Sequence, residues 1–255
     1  MDIELKRYFI ERWAKYFPRA DLPISFYYAD SVGDIEMAAR AEDHRCIIGD
    51  LARVRKGRSL AFDLDTVGCG GGRRYLGFTH ELMPDFEYFL SCGIEGKLEG
   101  ERYKKSPELV KQHLEHSPPF EAPARYAVFK RFDRLDEADQ PLVAIFFVTP
   151  DQLAGLYTLV NFDEGEPNGV IAPMGAGCAT IVQMPYQELA SRRPRAVLGM
   201  FDVSARPYVP GDRLTLAVPW PKFAAMVSNM DESFLITESW AKVRNRMAST
   251  HAATD

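Results

Sequence analysis

The sequence predicts a mixed α/β fold, with a sheet flanked by helices and two closely packed lobes. Strand-length apolar runs alternate with capped or amphipathic helical segments along the second half of the chain, which is the pattern of a layered α/β protein. The run Leu142 to Val148 is apolar throughout, as expected of a strand buried on both faces. A chain of 255 residues that is 46% hydrophobic and 12% aromatic is large enough to bury a substantial core.

Leu5, Phe9, Trp13 and Phe17 recur every fourth residue and stop at Pro18, so residues 2–17 read as an amphipathic helix. Ile24 to Asp30 reads as a strand. The stretch from Cys46 to Gly57 reads as a short helix with a glycine stop, and Ser59 to Asp65 as the next strand. Ser106 followed by Pro107 marks a helix start, because the hydroxyl caps free N–H groups and proline has none to lose. The proline-rich segment 118–124 is the expected joint between a lobe of residues 1–117 and one of residues 125–255.

Beyond that joint, residues 126–132 and 142–148 read as strands. Thr149, Pro150 and Gln152 form a capping-box signature that turns strand into helix within one residue. Residues 195–201 and 213–219 read as strands separated by a turn at Pro210 and Gly211, and residues 222–230 and 236–247 as closing helices. No repeat of fixed period is visible.

Lys and Arg number 31 against 36 Asp and Glu, a net charge of −5, which argues against a protein built to grip nucleic acid. The charged N-terminal stretch is not a secretory signal, and no apolar run is long enough to span a bilayer. The expected location is the cytoplasm, where the 4 cysteines stay reduced and serve packing, metal ligation or nucleophilic chemistry.

Each cysteine has an informative setting. Cys46 stands at an expected helix start and Cys69 heads a triple glycine, Gly70, Gly71 and Gly72. Cys92 precedes Gly93, and Cys178 follows Gly175 and Gly177 at another expected helix start. Backbone N–H groups at such places stabilise a thiolate, the form that binds metal or attacks an electrophile. Four thiolates hold an iron–sulfur cluster, and three hold one with an open iron. No C-x-x-C pair is present.

The loop from Cys69 to Arg74 also suits an anion, with exposed N–H groups and the guanidinium groups of Arg73 and Arg74. It lacks the Walker order, and the segment at Gly175 and Gly177 lacks a third dinucleotide-type glycine. Asp202, Ser204 and Arg206 fall at alternate positions, which in an extended chain share one face. His113 and His116 read as a helix C-terminal cap. No serine-hydrolase elbow or zincin motif occurs.

Four blocks, from Gly49 to Phe78, Phe89 to Val110, Gly175 to Phe223 and Asn229 to Met247, together resemble the prokaryotic family called domain of unknown function 169. The resemblance runs from about Cys46 to Met247 and implies no settled activity or cofactor. Three readings remain open. The first gathers Cys46, Cys69, Cys178 and Cys92 around an iron–sulfur cluster or another thiophilic metal, in a redox or sensing role with a redox partner, and with Arg73, Arg74 or Arg206 balancing charge. The second is a metal-free module for a small anionic ligand. The third is an enzyme with Cys69 or Cys178 as nucleophile.

Overall fold

The computed structural model describes residues 1–40 and 44–249. One mixed sheet runs through them, in the order β2-β3-β4-β1-β5-β8-β7-β6. Its strands are β1 (Ile24–Ala29), β2 (Glu36–Met37), β3 (Ser59–Phe62), β4 (Tyr126–Arg131), β5 (Val143–Val148), β6 (Val170–Ile171), β7 (Ala196–Gly199) and β8 (Leu214–Pro219). The helices are α1 (Ile3–Tyr16), α2 (Ile47–Arg55), α3 (Gly70–Tyr75), α4 (Phe86–Phe89), α5 (Pro107–Glu115), α6 (Pro150–Val160), α7 (Met184–Glu188), α8 (Trp220–Asn229) and α9 (Glu238–Ser249).

Local chemistry sets the helix starts. The Asp2 carboxylate accepts from the N–H groups of Glu4 and Leu5, Ser106 accepts from Leu109, and Thr149 and Gln152 form the expected reciprocal box. The sheet then sorts side chains by alternation. In β5, Ala144, Phe146 and Val148 enter a core shared with α1, α6, α8 and α9, whereas Val143, Ile145 and Phe147 enter a second core beneath α2. Both faces are therefore covered, and the buried run of β5 needs no polar side.

The α/β class is as the sequence predicts, but the division into lobes 1–117 and 125–255 is not confirmed. β1, from the first range, lies between β4 and β5 from the second. Segment 118–124 packs down instead of linking: Pro118 O accepts from Gln183 Nε2, Ala122 N–H donates to Gly77 O, and the Phe120 ring lies 5.1 Å from that of Tyr186.

The topology also contains a repeat that no sequence period shows. β1 pairs antiparallel with β4, β4 antiparallel with β3, and β3 parallel with β2. β5 repeats this order with β8, β7 and β6, in the same senses. The two four-strand halves meet at the antiparallel β1–β5 pair.

α1 is locked to the end of α8 through Asp231, whose carboxylate accepts from Tyr16 Oη at 2.6 Å, Tyr8 Oη at 3.0 Å, Lys15 Nζ at 3.3 Å, and Arg12 Nε. Partial burial opposes ionisation of Asp231, but the hydrogen bonds from Tyr16, Arg12, Tyr8 and Lys15 outweigh it and hold its pKa well below the usual carboxylate range. A folded-state pKa below the unfolded value gives stability that is present above about pH 4 and is lost as the pH falls further. Asp231→Asn is therefore expected to lower the urea midpoint at pH 7, with the gap from wild type closing below about pH 4.

A Cβ built at Gly155 in α6 would overlap the Trp240 ring and stand 2.9 Å from Phe17 Cε1. Both rings sit in the first core, so Gly155→Ala should cost about 1–3 kcal/mol by overpacking, read as a lower denaturation midpoint at unchanged m-value.

Candidate functional site

The helices of the second face place three of the cysteines. Cys46 is the N-cap of α2 and Cys69 the N-cap of α3, where the Cys69 sulfur accepts from Gly72 N–H at 3.2 Å. Cys178 opens the helical segment that passes through a π-helical turn, Ala179–Gln183, into α7. The first turn of α2 touches both neighbours. A Cβ at Gly72 would lie 3.7 Å from Ile47 Cγ2, and one at Gly177 would lie 3.6 Å from Ile48 Cγ1. Segments far apart in sequence thus meet at one point.

Burial pushes the Cys46 thiol up, against the lowering effect of the Ile48 and Gly49 N–H groups, with further raising contributions from Cys69 and Asp202. The wholly buried Cys178 is pushed well above the ordinary thiol range, first by burial and then by the charges of Cys69, Cys46 and Asp202. The expectation that helix starts favour these two thiolates is thus corrected: the N–H groups act as expected, but loss of water outweighs them.

Cys92 does not join this group. It is exposed, with its sulfur against Gly93 O and Ser91 Oγ. Among the described residues, no three His, Cys, Asp or Glu side chains are drawn together closely enough to hold a metal ion as they stand. The four-cysteine ligand set expected from sequence is not assembled.

The triple glycine is not an open nest. Gly70, Gly71 and Gly72 form the first half of α3, and Arg73 N–H donates to Cys69 O. The Arg73 guanidinium turns back to Val67 O at 3.0 Å, and that of Arg74 gives one N–H to His80 O at 2.6 Å. Arg206 is committed elsewhere, to the carbonyls of Arg213, Pro210 and Gly211.

Nor do Asp202, Ser204 and Arg206 share an extended face. The chain turns at Asp202, whose carbonyl accepts from the N–H groups of Ala205 and Arg206, so the pairing of Asp202 with Arg206 does not form. The Asp202 carboxylate instead accepts from Gly177 N–H at 2.9 Å, Ser204 N–H at 3.0 Å, Ser204 Oγ at 2.7 Å and Tyr103 Oη at 3.3 Å. It fixes the backbone just before Cys178. Gly177 is required there, since a Cβ would stand 2.9 Å from that of Ala205. Gly175 clears Met184, with a Cβ there only 2.6 Å from Met184 Cε.

Sequence reasoning missed Tyr75 and Tyr103. Burial and the Cys178 charge push the Tyr75 hydroxyl to about 12, with Arg74 opposing and Asp202 reinforcing. No motif marks either tyrosine. His116 caps its own helix, its Nδ1 2.7 Å from Gln112 O, whereas His113 lines a cleft with Arg74, Tyr75 and Gly175.

The family model for domain of unknown function 169, described as "Uncharacterised ArCR", matches residues 20–229. The chain belongs to this family. The match takes in Cys46, Cys69, Cys178 and Asp202, so the thiol site of this member of the DUF169 family lies wholly within the matched region. No curated protein and no solved structure matches the chain. No helix among the described residues is long and apolar enough to cross a membrane.

The burial order sets the thiol chemistry of this DUF169 protein. With a small alkylating reagent at neutral pH, exposed Cys92 is expected to be labelled first and Cys178 last, and the difference should vanish on denaturation. Mass-spectrometric mapping of the labelled peptides over time checks the order.

Proposed function

We infer that this chain holds an iron–sulfur cluster on Cys46, Cys69 and Cys178, with Asp202 as the residue that positions the Cys178 loop. The observation that supports this reading is that the three helical segments bearing Cys46, Cys69 and Cys178 pack together, Ile47 beside Gly72 and Ile48 beside Gly177, with the Asp202 carboxylate on the Gly177 N–H. Four groups of the same sign held near one another, Cys178 buried and Cys46, Cys69 and Asp202 half-buried, repel one another when ionised, and a cation reduces that repulsion. Thiol is also the ligand type that selects soft metals and iron–sulfur clusters.

A polynuclear cluster spreads its cysteine ligands more widely than a single ion does. Three cysteines would hold such a cluster with one iron left without a cysteine. Such a cluster, when bound, supplies one-electron transfer. The protein's part is to deprotonate and orient the thiols: N–H groups of α2 and α3 stabilise the sulfur charges, and the Asp202 to Gly177 hydrogen bond fixes the approach of Cys178.

The other two readings have less support. A nucleophilic enzyme needs a thiolate ready at neutral pH, and of the two candidates, Cys69 and Cys178, burial pushes the Cys178 thiol well above the ordinary range. An anion nest at residues 69–74 has less to offer, because Gly72 N–H is taken by the Cys69 sulfur and the Arg73 and Arg74 guanidinium groups bond the carbonyls of Val67 and His80.

Protein expressed with ample iron and purified without oxygen is expected to carry iron and acid-labile sulfide, with a broad visible absorption that bleaches under dithionite. Serine at position 46, 69 or 178 should each reduce the bound iron severalfold, while Cys92→Ser leaves it unchanged. Wild-type protein with neither iron nor chromophore under those conditions overturns the reading.

A further inference from the structure

The starts of α2 and α3 lie against each other. Arg45 N–H donates to Gly68 O at 3.2 Å, so the segments leading into Cys46 and Cys69 are in backbone contact one residue before each cysteine. A second contact lies just past them. A Cβ built at Gly72 would stand 3.0 Å from the Cys69 sulfur and 3.7 Å from Cγ2 of Ile47, the residue after Cys46. The two cysteines are thus bracketed by contacts on both sides, although α2 and β3 separate them in sequence. A disulfide forms without strain only between segments already this close. We propose that Cys46 and Cys69 form a reversible disulfide, by exchange with a small-molecule disulfide of the glutathione type.

Exposure selects this pair. Cys46 and Cys69 are half-buried, which leaves them open to a small reagent, whereas Cys178 is buried. Cys92 is exposed but belongs to a separate loop, closed by the bridge between Ile94 and Leu98, with its sulfur on Gly93 O. The exchange runs in two displacements. Cys69, whose sulfur accepts from Gly72 N–H, attacks one sulfur of the reagent as a thiolate; the reagent S–S bond breaks and one reagent thiol leaves with the proton that Cys69 gave up. The Cys46 sulfur then attacks that of Cys69 in the mixed disulfide, and the second reagent thiol leaves with the Cys46 proton. The protein loses two electrons and two protons, and one reagent disulfide becomes two thiols. The link closes a loop that contains α2 and β3. It consumes two of the thiols inferred above to hold a cluster, but it does not rest on that reading, because it needs only the iron-free chain.

The whole chain, freed of iron, reduced, and then held without oxygen in graded mixtures of glutathione and glutathione disulfide, tests this. After acid quenching and alkylation, peptide mapping without reductant is expected to show Cys46 linked to Cys69 as the main protein disulfide, with Cys178 still a thiol and the link lost on adding dithiothreitol. Cys46→Ser should stop at a glutathione adduct on Cys69, since no second thiol is there to displace it. Absence of the Cys46 to Cys69 link at every ratio, equal formation of it in urea-unfolded protein, or a preferred link to Cys92 or Cys178 overturns the proposal. Should Cys46→Ser fail to fold, the wild-type map decides alone. Iron content plays no part in this readout, so failure of the cluster and failure of the disulfide are seen separately.

Discussion

The antiparallel pairing of β1 with β5, Ile24 opposite Ile145 and Phe26 opposite Val143, is the constraint on which the rest of the molecule depends. It joins two four-strand halves of like topology into one sheet, and it brings together segments more than a hundred residues apart. Because the side-chain period of a strand is two, a slip of one residue here would send Ile145 and Phe147 to the wrong face and empty the second core. That core carries α2, α3 and the helix that begins at Cys178. The register of one central strand pair thus sets the position of every sulfur in the candidate site.

The topological repeat explains why Cys46 and Cys178 meet. In each half, a two-residue edge strand is followed by a helix that leads into the next strand: β2, α2 and β3 in one, and β6, α7 and β7 in the other. Cys46 and Cys178 occupy the start of that helical segment in their respective halves. The strand that follows ends in a polar turn in both cases, Asp63 with Thr66 after β3 and Asp202 with Ser204 after β7. Beyond the turns the halves diverge: the first supplies Cys69 and α3, whereas the second supplies the short helical turn Arg206–Tyr208. The site is therefore built from two equivalent cysteines and one contributed by a single half.

What was legible in the sequence is what local chemistry dictates. Ser106 and Thr149 announce their helices because a hydroxyl three residues before a free N–H is a sufficient cause. The helix start at Cys46 was visible from the glycine-stopped segment that follows it, although its side chain makes no capping hydrogen bond, whereas Cys69, read as the head of a glycine loop, is the N-cap of α3. The edge strands β2 and β6 were not visible, since two residues carry no period. The repeat was hidden because topology constrains which faces are apolar and leaves the side chains free. Arg73 and Arg74 show the limit most clearly. They are identical neighbours, yet helical phase turns one back to the Val67 carbonyl and sends the other into a cleft. Asp202 was noticed as a charged residue, but its reach across to Gly177 is a property of the folded sheet.

The electrostatics of the thiol site then follow from its place in the fold. Donors from Gly177, Ser204 and Tyr103 hold the Asp202 carboxylate in place beside the Cys178 segment. Two helix starts offer N–H groups to Cys46 and Cys69, but the second core excludes the water that would otherwise dilute repulsion among thiolates. Burial consequently favours the protonated forms of Cys46 and Cys178. On the proposed reading, a soft cation would displace those protons by forming direct bonds to sulfur while leaving the backbone donors in place. The burial that makes Cys178 a poor nucleophile comes from packing beneath the sheet more than from the identity of any single neighbouring side chain.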